Sequence, residues 1–504
     1  MLSITQSSRR SFYALIISLA LSSCSSLLDP VPLGIIELNK LFTTRDGIIA
    51  AVNGSYAPLQ ALYRGPMQQL TDLASDDGWT WRNELDPDVY IIQANSTYNR
   101  DVWETHYLGI CRANDVINNI ENAADLTDPV LKKAVEGQAK FIRAYYYFNL
   151  VRLFGDVPLI VRQIKTRDDA EQPRAATKEI YAQIKKDLSD AETLLPANYS
   201  GSFGLEKGRP TAQSASALKA LVHLELEEWD QVKIATEGII NKAALPVNYA
   251  SNFNGTAENS PASFFEVQYG GVASATTSIL GQSWSPTSAG GQAAMLPTDN
   301  TMNGTGGGLS SGNGIVQAFE PGDLRKTVSL ASYDLINFLD VNRAKGSLLY
   351  VNKYYNTVDP RGQSTWNYPL IRLSEIILTR AEALNEIGFQ ADKEAFELLN
   401  LVRTKAGLKP LLSSDIGGQE EFRNAIRKER RTELAFEAKR YFDLNRWGIL
   451  ATTIQEQMNL SKRTFPAARS ASHPITGKQY FLYPLPATEF INNARLGQQN
   501  PGYN

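Results

Sequence analysis

A cysteine near the start of the chain has the surroundings of a lipid attachment site. Cys24 follows Leu21, Ser22 and Ser23, an aliphatic residue and two small ones. This order resembles the bacterial lipobox, in which the cysteine thiol is acylated and the same residue becomes the mature N-terminus. The chemistry expected at Cys24 is therefore thioether formation and acylation rather than catalysis.

The residues before Cys24 support this interpretation. Arg9 and Arg10 precede an apolar run of ten residues, 12–21, whereas a membrane-spanning helix needs roughly 20. Residues 1–23 are thus predicted to be a signal peptide, with the lipobox at 21–24. Stable anchoring needs at least two acyl chains, because each buried CH₂ contributes only about 0.8 kcal/mol. The alternative is an ordinary cleaved signal and a disulfide from Cys24 to Cys111, although Cys111 lies in a predicted helix.

Aromatic and polar side chains in loop-like segments form the second group with possible chemistry. The stacking candidates are Trp79, Trp81, Trp284 and Trp366, and their polar partners are Asp76, Asp77, Arg82 and Asn95. An indole face stacks on the apolar C–H face of a pyranose, and carboxylate, amide and guanidinium groups hydrogen-bond to its hydroxyls. These loops could therefore bind a sugar. The competing interpretation is that each loop folds back on its own aromatic residue. Trp103, Trp229 and Trp447 fall in helical patterns and are predicted to be core.

Metal and catalytic chemistry have less support. The two cysteines and three histidines are widely scattered, and the acidic residues Asp72, Asp76 and Asp77 do not follow the spacing of an EF-hand loop. The chain has neither HExxH nor GxxxxGK[ST]. We expect no metal, no cofactor and no enzymatic activity. A surface glycoside hydrolase is the main rival, because a pair of carboxylates across a cleft leaves no sequence pattern. A purely structural surface protein is a third class.

Charge argues against nucleic acid as a partner. Without residues 1–23 the chain has 48 basic and 53 acidic residues, and no basic run is interleaved with aromatics. Residues 427–440 are rich in arginine, but Glu429, Glu433 and Glu437 recur at every fourth position. This spacing predicts ion pairs along or between helices.

Four helix pairs are predicted to position these residues. Apolar residues recur at steps of three and four in both members of each pair. The segments are 102–122 with 130–154, 211–226 with 229–240, 370–387 with 392–406, and 420–448 as the fourth pair. Gly155 ends the second helix, and Thr211 is an expected N-cap. The spacing is that of tetratricopeptide hairpins, which predicts a mostly α solenoid.

Long irregular regions interrupt the helices. Residues 63–100 and about 245–370 are the loop-rich parts, and 245–315 is dense in Gly, Ser, Thr and Asn. A loop of that length in a compact domain is a candidate for function. Short β segments are expected at 264–269 and 348–355, where they could form a minor sheet. Residues 24–504 are predicted to form a single domain.

Five stretches resemble landmarks of the SusD/RagB family of Bacteroidetes outer-membrane lipoproteins, in the family's order. They are GQAKFIRAYYYFNLVRLFGDVPLI (137–160), NYPLIRLSEIILTRAEALNE (367–386), LLNLVRTKAGL (398–408), IRKERRTELAFEAKRYFDLNRWG (426–448) and YPLPATEFINNARLGQQNPGYN (483–504). The resemblance covers essentially the whole mature chain.

The resemblance implies both an architecture and a role. Proteins of this family are α-solenoids that are lipid-anchored to the outer membrane, and each acts as the lid of a SusC-like TonB-dependent transporter. They capture oligosaccharide, or in RagB-like members peptide, and have no catalytic residues. The resemblance also implies that this chain faces the cell surface. The ligand of this chain is not implied, because the loops that carry Trp79, Trp81 and Trp284 match no family motif.

Overall fold

The structure is a computed structural model that describes residues 41–79, 87, 92–199, 207–241, 243–270, 276–285, 295–298, 314–334, 347–355, 364–460 and 470–503. Helices predominate in these ranges. They are α1 (Arg45–Leu62), α2 (Pro66–Thr71), α3 (Thr97–Asn119), α4 (Pro129–Phe154), α5 (Arg167–Ala170), α6 (Thr177–Leu194), α7 (Ala212–Glu225), α8 (Trp229–Glu237), α9 (Leu280–Trp284), α10 (Ile315–Ala318), α11 (Leu324–Ser329), α12 (Leu373–Ile387), α13 (Glu394–Lys405), α14 (Gln419–Glu433), α15 (Arg440–Arg446), α16 (Leu450–Leu460) and α17 (Ala487–Asn492). The predicted signal peptide and Cys24 lie outside the described residues.

Successive helices form a stack. Helix α1 packs on α3, α3 on α4, α4 on α6, α6 on α7, and α7 on α8. The stack continues from α8 to α12, which contacts both α13 and α14. The mostly α, solenoid-like fold predicted from the sequence is confirmed. Helices α1 and α6 are additional members that the hairpin pattern did not single out.

Helix α4 lies at the centre of the stack. Asp128 caps its N-terminus by accepting from the N–H groups of Val130 and Leu131, and Pro129 occupies the first turn. Gly155 ends the helix with φ of 71°, a conformation that favours glycine. Between these ends nearly every residue from Phe141 to Phe154 is buried, as expected for a helix that is apolar on all sides.

Helices α3 and α4 approach each other closely at one glycine. A Cβ added to Gly109 of α3 would lie 2.1 Å from Cε2 of Tyr146 on α4. The tyrosine hydroxyl then reaches past this point to donate to the carbonyl of Ser55 on α1, at 2.7 Å. One ring therefore connects three helices, and it fits only because residue 109 has no side chain.

Strands are short and pair two by two. They are β1 (Gly78–Trp79), β2 (Val157–Pro158), β3 (Arg174–Ala175), β4 (Ser263–Val267), β5 (Leu296–Pro297), β6 (Leu330–Asp334), β7 (Ser347–Val351), β8 (Tyr368–Arg372), β9 (Ser470–Ser472) and β10 (Gln479–Phe481). The antiparallel pairs are β1–β5, β2–β3, β4–β8, β6–β7 and β9–β10.

Two sequence expectations about strands need correction. Segments 264–269 and 348–355 do contain strands, but β4 pairs with β8 and β7 pairs with β6, so they do not form one sheet. The third helix pair begins at Leu373 rather than 370, because Tyr368–Arg372 is strand β8. Every residue of β8 is buried, and a short buried strand has no alternation to distinguish it from a buried helix.

The predicted fourth pair also differs from its expected form. The run at 425–448 is divided by a turn at 434–439, between α14 and α15. Phe436 and Ala438 in this turn have φ of 61° and 58°, values that are uncommon for residues other than glycine.

Contacts from distant segments hold this turn. Lys353 donates to the carbonyl of Ala435 at 2.8 Å, and the Tyr354 hydroxyl donates to that of Phe436 at 3.1 Å. The carboxylate of Asp72 accepts from the N–H of Ala438 at 3.0 and 3.1 Å. Tertiary contacts therefore offset the strain of two left-handed residues.

The glutamates of the 427–440 run form a buried network between elements. Their cationic partners come from α11, β8, α13 and the segment after β7, rather than from the same helix. Glu429 pairs with Arg325 and Arg403, Glu433 with Arg325 and Arg372, and Glu437 with Arg372 and Lys353. The expected network between elements is confirmed, whereas pairing along one helix is wrong for these glutamates. Their spacing places them on one buried face that meets several neighbours.

Candidate functional site

Trp79, the first predicted stacking residue, lies inside the protein. Its side chain is 5% exposed, and Nε1 donates to the carbonyl of Pro297 at 3.0 Å. Residue 79 pairs with Leu296 between β1 and β5. Ligand stacking on Trp79 stays a prediction that requires the indole to leave this position.

Asp76 and Asp77 face arginines of the C-terminal helices. Asp76 pairs with Arg431 at 2.9 Å and with Arg440 at 2.7 Å, and Asp77 pairs with Arg431 at 2.7 Å. Burial by itself would raise the pKa of Asp76, but the two arginines hold it at about 2. Burial raises the pKa of Asp77, because Arg431 and the more distant Arg440 do not offset the desolvation and the charge of Asp76. Both side chains thus connect β1 to the end of the solenoid.

Trp284 and Trp366 have different exposures. Trp284 is 4% exposed and packs its ring against Tyr354 at 5.5 Å. Tyr354 stacks in turn on Tyr368, which is two residues after Trp366. Trp366 itself is half-buried, and a Cβ on Gly255 would lie 2.6 Å from its Cδ1. Among the described stacking candidates, Trp366 is the one with substantial surface toward solvent.

The remaining predicted residues are dispersed or outside the described ranges. Trp81, Arg82 and Cys24 are not among the described residues. Asn95 is exposed in the turn before α3. Trp103 and Trp447 are buried as predicted, and Trp229 is half-buried against the core. The structure therefore does not bring all of the candidates into one described cluster.

A cluster of amides lies beside Trp366. Asn259 and Gln268 exchange side-chain hydrogen bonds of 2.8 and 2.9 Å. Asn367 donates to Gln268 at 3.0 Å and to Glu266 at 2.9 Å. Burial raises the pKa of Glu266, although Asn367 and the N–H of Asn259 donate to its carboxylate. These partners fix the orientation of Gln268.

Gln268 extends this cluster into an open groove between α1 and β4, which we call the amide groove. The cavity has a volume of about 530 Å³, and its lining includes Tyr56, Gln60, Arg209 and Gln268. This volume is within the roughly 300–1,000 Å³ of small-ligand pockets. The groove presents one aromatic ring, amides and a guanidinium, a mixture that suits a ligand with both hydroxyls and apolar C–H faces.

Local contacts hold the walls of the amide groove in place. The Tyr56 hydroxyl and Arg209 Nη1 both donate to Gln138 Oε1, at 2.9 and 2.7 Å. Gln60 donates to the carbonyl of Gln268 at 2.7 Å. Gly208, with φ of 93°, lies so close that a Cβ would be 2.4 Å from the Gln268 amide carbon. A glycine is therefore required at the narrow side.

Sequence reasoning missed the amide groove because α1 was not recognised as a helix. Tyr56 and Gln60 are four residues apart and thus lie on one face once the helix is known. No comparable signal joined that face to Arg209 and Gln268, which are more than a hundred residues away in the chain.

Within the described ranges, no group of three or more His, Cys, Asp or Glu side chains could hold a metal ion. None of the helices in those ranges combines the length and apolar character that crossing a bilayer requires.

Two family models match complementary parts of this chain. The SusD family model matches residues 339–503, and a model described as starch-binding, associating with the outer membrane, matches residues 47–224. The chain belongs to the SusD/RagB family. A curated relative, SusD-like protein P2 from Formosa agariphila, is 29% identical over 528 aligned positions, which span 97% of this chain and 98% of the relative.

Solved SusD structures have the same fold. A SusD superfamily protein from Bacteroides vulgatus matches with a TM-score of 0.75 and 20% identity, covering 91% of this chain and 99% of that one. A laminarin-binding SusD-like protein matches with a TM-score of 0.70 and 22% identity, covering 92% of this chain and 100% of that one. At these identities the likeness concerns the fold.

Proposed function

We propose that this SusD-family protein captures oligosaccharide at the outer membrane and delivers it to a SusC-like TonB-dependent transporter, for which it is the lid. The family membership carries this proposal. It is supported by a relative of known structure that binds laminarin and by a family model described as starch-binding and associating with the outer membrane.

We place ligand capture at the amide groove and at Trp366, whose neighbour in the chain, Asn367, donates to Gln268. The ring of Tyr56 packs against Phe265, with centroids 6.4 Å apart, so it offers a supported face for a sugar ring. Gln60, Arg209 and Gln268 supply donors and acceptors for hydroxyls. Trp79, Trp81 and Trp284, with the polar residues Asp76, Asp77, Arg82 and Asn95, stay in the proposal as further ligand contacts.

Isothermal titration calorimetry with laminarin-derived and starch-derived oligosaccharides tests the amide groove and Trp366 as the capture site. Tyr56→Ala should weaken binding by about 1–2 kcal/mol because a stacking ring is lost, and Trp366→Ala should act in the same direction. Tyr56→Phe is the matched control, since it keeps the ring and removes only the bond to Gln138. Equal affinity of Tyr56→Ala and wild type would exclude the amide groove as the capture site.

We also propose that the protein binds without breaking bonds. Prolonged incubation with a bound oligosaccharide should release no new reducing ends. Steady release of reducing ends would instead support the rival class, a surface glycoside hydrolase. A RagB-like preference would appear as binding of peptides in the absence of any glycan binding.

The partnership with a transporter needs a separate test. An affinity-tagged copy expressed in its native host should co-purify a TonB-dependent outer-membrane protein in stoichiometric amount. Recovery of the tagged protein alone under gentle detergent conditions would contradict the lid role and leave glycan capture unaffected.

A further inference from the structure

A second cavity, which we call the arginine groove, is lined by residues of α10, α14 and α15 and of the turn that follows α15. Its volume is about 360 Å³. Arg427, Lys428, Arg431 and Arg440 line it together with Trp447, and no carboxylate is among the described lining residues. A cavity with four cations attracts anions.

Three of these cations already have carboxylate partners. Arg431 pairs with both Asp76 and Asp77, and Arg440 pairs with Asp76. Lys428 is 3.1 Å from Glu320. These pairs neutralise much of the local charge, so they do not by themselves indicate a ligand.

Arg427 differs from its neighbours on α14. Its guanidinium lies over the ring of Trp447, 4.7 Å from the centroid, and its Nε is buried without a hydrogen-bond partner. In the part of the chain that the structure describes, Arg427 forms no ion pair with a carboxylate. One turn before it, Arg423 pairs with Glu386 and Glu420, and one turn after it, Arg431 pairs with Asp77.

The electrostatics of Arg427 are consistent with a missing counter-ion. Burial lowers the pKa of Arg427, and the charges of Arg446 and Arg423 act in the same direction, while the nearby carboxylates of Glu382 and Glu420 offset only part of this effect. Arg446 also lies over the ring of Trp447, but it already forms ion pairs with Glu382 and Asp443. A half-buried charge without a partner is unfavourable, and an anion in the groove would relieve this cost.

We propose that the arginine groove binds the carboxylate or sulfate group of an acidic sugar. Arg427 supplies the charge, because a guanidinium offers planar paired donors that match these oxyanions. Trp447 fixes the plane of that guanidinium, and Lys428 adds a second cation. The volume is enough for one substituted ring but small for a folded protein segment. This inference rests on the proposed glycan capture and extends its ligands to acidic glycans.

Titration with matched sugars tests the assignment. The probes are a glucuronic acid-containing oligosaccharide, a glucose 6-sulfate oligosaccharide, the corresponding neutral oligosaccharide and inorganic sulfate. Arg427→Gln should raise the Kd of both acidic probes at least tenfold and leave that of the neutral probe unchanged. Arg423→Gln is the control, since it removes one charge from the same helix at a residue that is already paired.

Arg427→Lys separates charge from geometry. It keeps the charge but loses the paired donors, so we expect a Kd between those of wild type and Arg427→Gln. If Arg427→Gln does not fold, as judged by circular dichroism, the Lys variant and Lys428→Gln provide the comparison.

Equal Kd values of wild type and Arg427→Gln for the acidic probes, or no binding of these probes by wild type, would overturn the inference. Equally tight binding of a hexaglutamate peptide would assign the groove to an acidic protein partner and also overturn it. Loss of sulfate binding in Arg427→Gln, combined with no glycan binding by wild type, would refute the proposed function while retaining an oxyanion site.

Discussion

At the scale of single residues, two carboxylates between α2 and β1 respond to burial in opposite ways. Asp76 has two arginine partners, and its pKa falls to about 2 despite burial. Burial raises the pKa of Asp72 well above its usual 3.8, because its main compensation is the N–H of Ala438. Paired and unpaired carboxylates only four positions apart therefore contribute to stability with opposite pH dependence.

Asp76→Asn should destabilise the protein at pH 7 by about 3 kcal/mol, because Arg431 and Arg440 lose a buried counter-charge. The native pKa of Asp76 is below the unfolded value of 3.8, so its contribution is present above pH 3.8 and is lost as pH falls toward 2. Urea unfolding at pH 7 and pH 3 measures the difference in the free energy of unfolding between wild type and Asp76→Asn, and this difference should be smaller at pH 3. A difference independent of pH would contradict this.

Asp72→Asn should show the reverse dependence. Because the native pKa is raised, wild type loses stability as pH rises from about 4 through that pKa, and the variant does not. The free energy of unfolding of the variant relative to wild type should therefore increase between pH 4 and pH 7. If the free energy of unfolding of the variant relative to wild type instead decreased as the pH is raised, Asp72 would be held in its charged form.

The sequence identified Asp76 and Asp77 as notable but could not indicate their partners. Arg431 and Arg440 follow some 350 residues later, and an ion pair leaves no periodic signal. The helical apolar patterns around Trp103 and Trp447 predict that both residues belong to the core. Trp79 and Trp284 lie in irregular segments, where burial depends on contacts between distant loops.

At the scale of elements, the contact of α3 with α4 is a sharp test of the packing. Gly109→Ala should destabilise the protein by several kcal/mol, because the new methyl group would overlap the ring of Tyr146. Gly54→Ala on α1 is the matched control, since nothing lies within 4 Å of its added Cβ. The control should gain up to about 1 kcal/mol from helix propensity. Thermal unfolding of both variants measures the two effects.

If both glycine variants had the same melting temperature, α3 and α4 would have to cross at a greater distance than the contact of Gly109 with Tyr146 requires.

Helices with long apolar repeats, such as α3, α4 and α7, could be predicted from the sequence. The two-residue strands β1, β2, β3 and β5 could not be predicted, because they depend entirely on tertiary pairing. The division between α14 and α15 was also hidden, since Phe436 and Ala438 are not residues that normally signal a turn.

At the scale of the whole molecule, attachment to the membrane depends on a residue outside the described ranges. Cys24→Ala should move the protein from the membrane fraction to the soluble fraction, because the predicted acyl chains provide the anchor. Fractionation followed by immunoblotting checks this. Persistence in the membrane fraction after a high-salt wash would contradict lipid attachment at Cys24.

The buried ion network has a consequence for how the chain matures. Its carboxylates Glu429, Glu433 and Glu437 come late in the sequence, while Arg325, Lys353 and Arg372 precede them. The same late segment supplies Arg431 and Arg440 to Asp76. Until residues 429–440 are available, Asp76, Arg325, Lys353 and Arg372 lack these partners, and burying them would leave their charges uncompensated. The part of the fold that contains them can therefore close only when the C-terminal segment arrives.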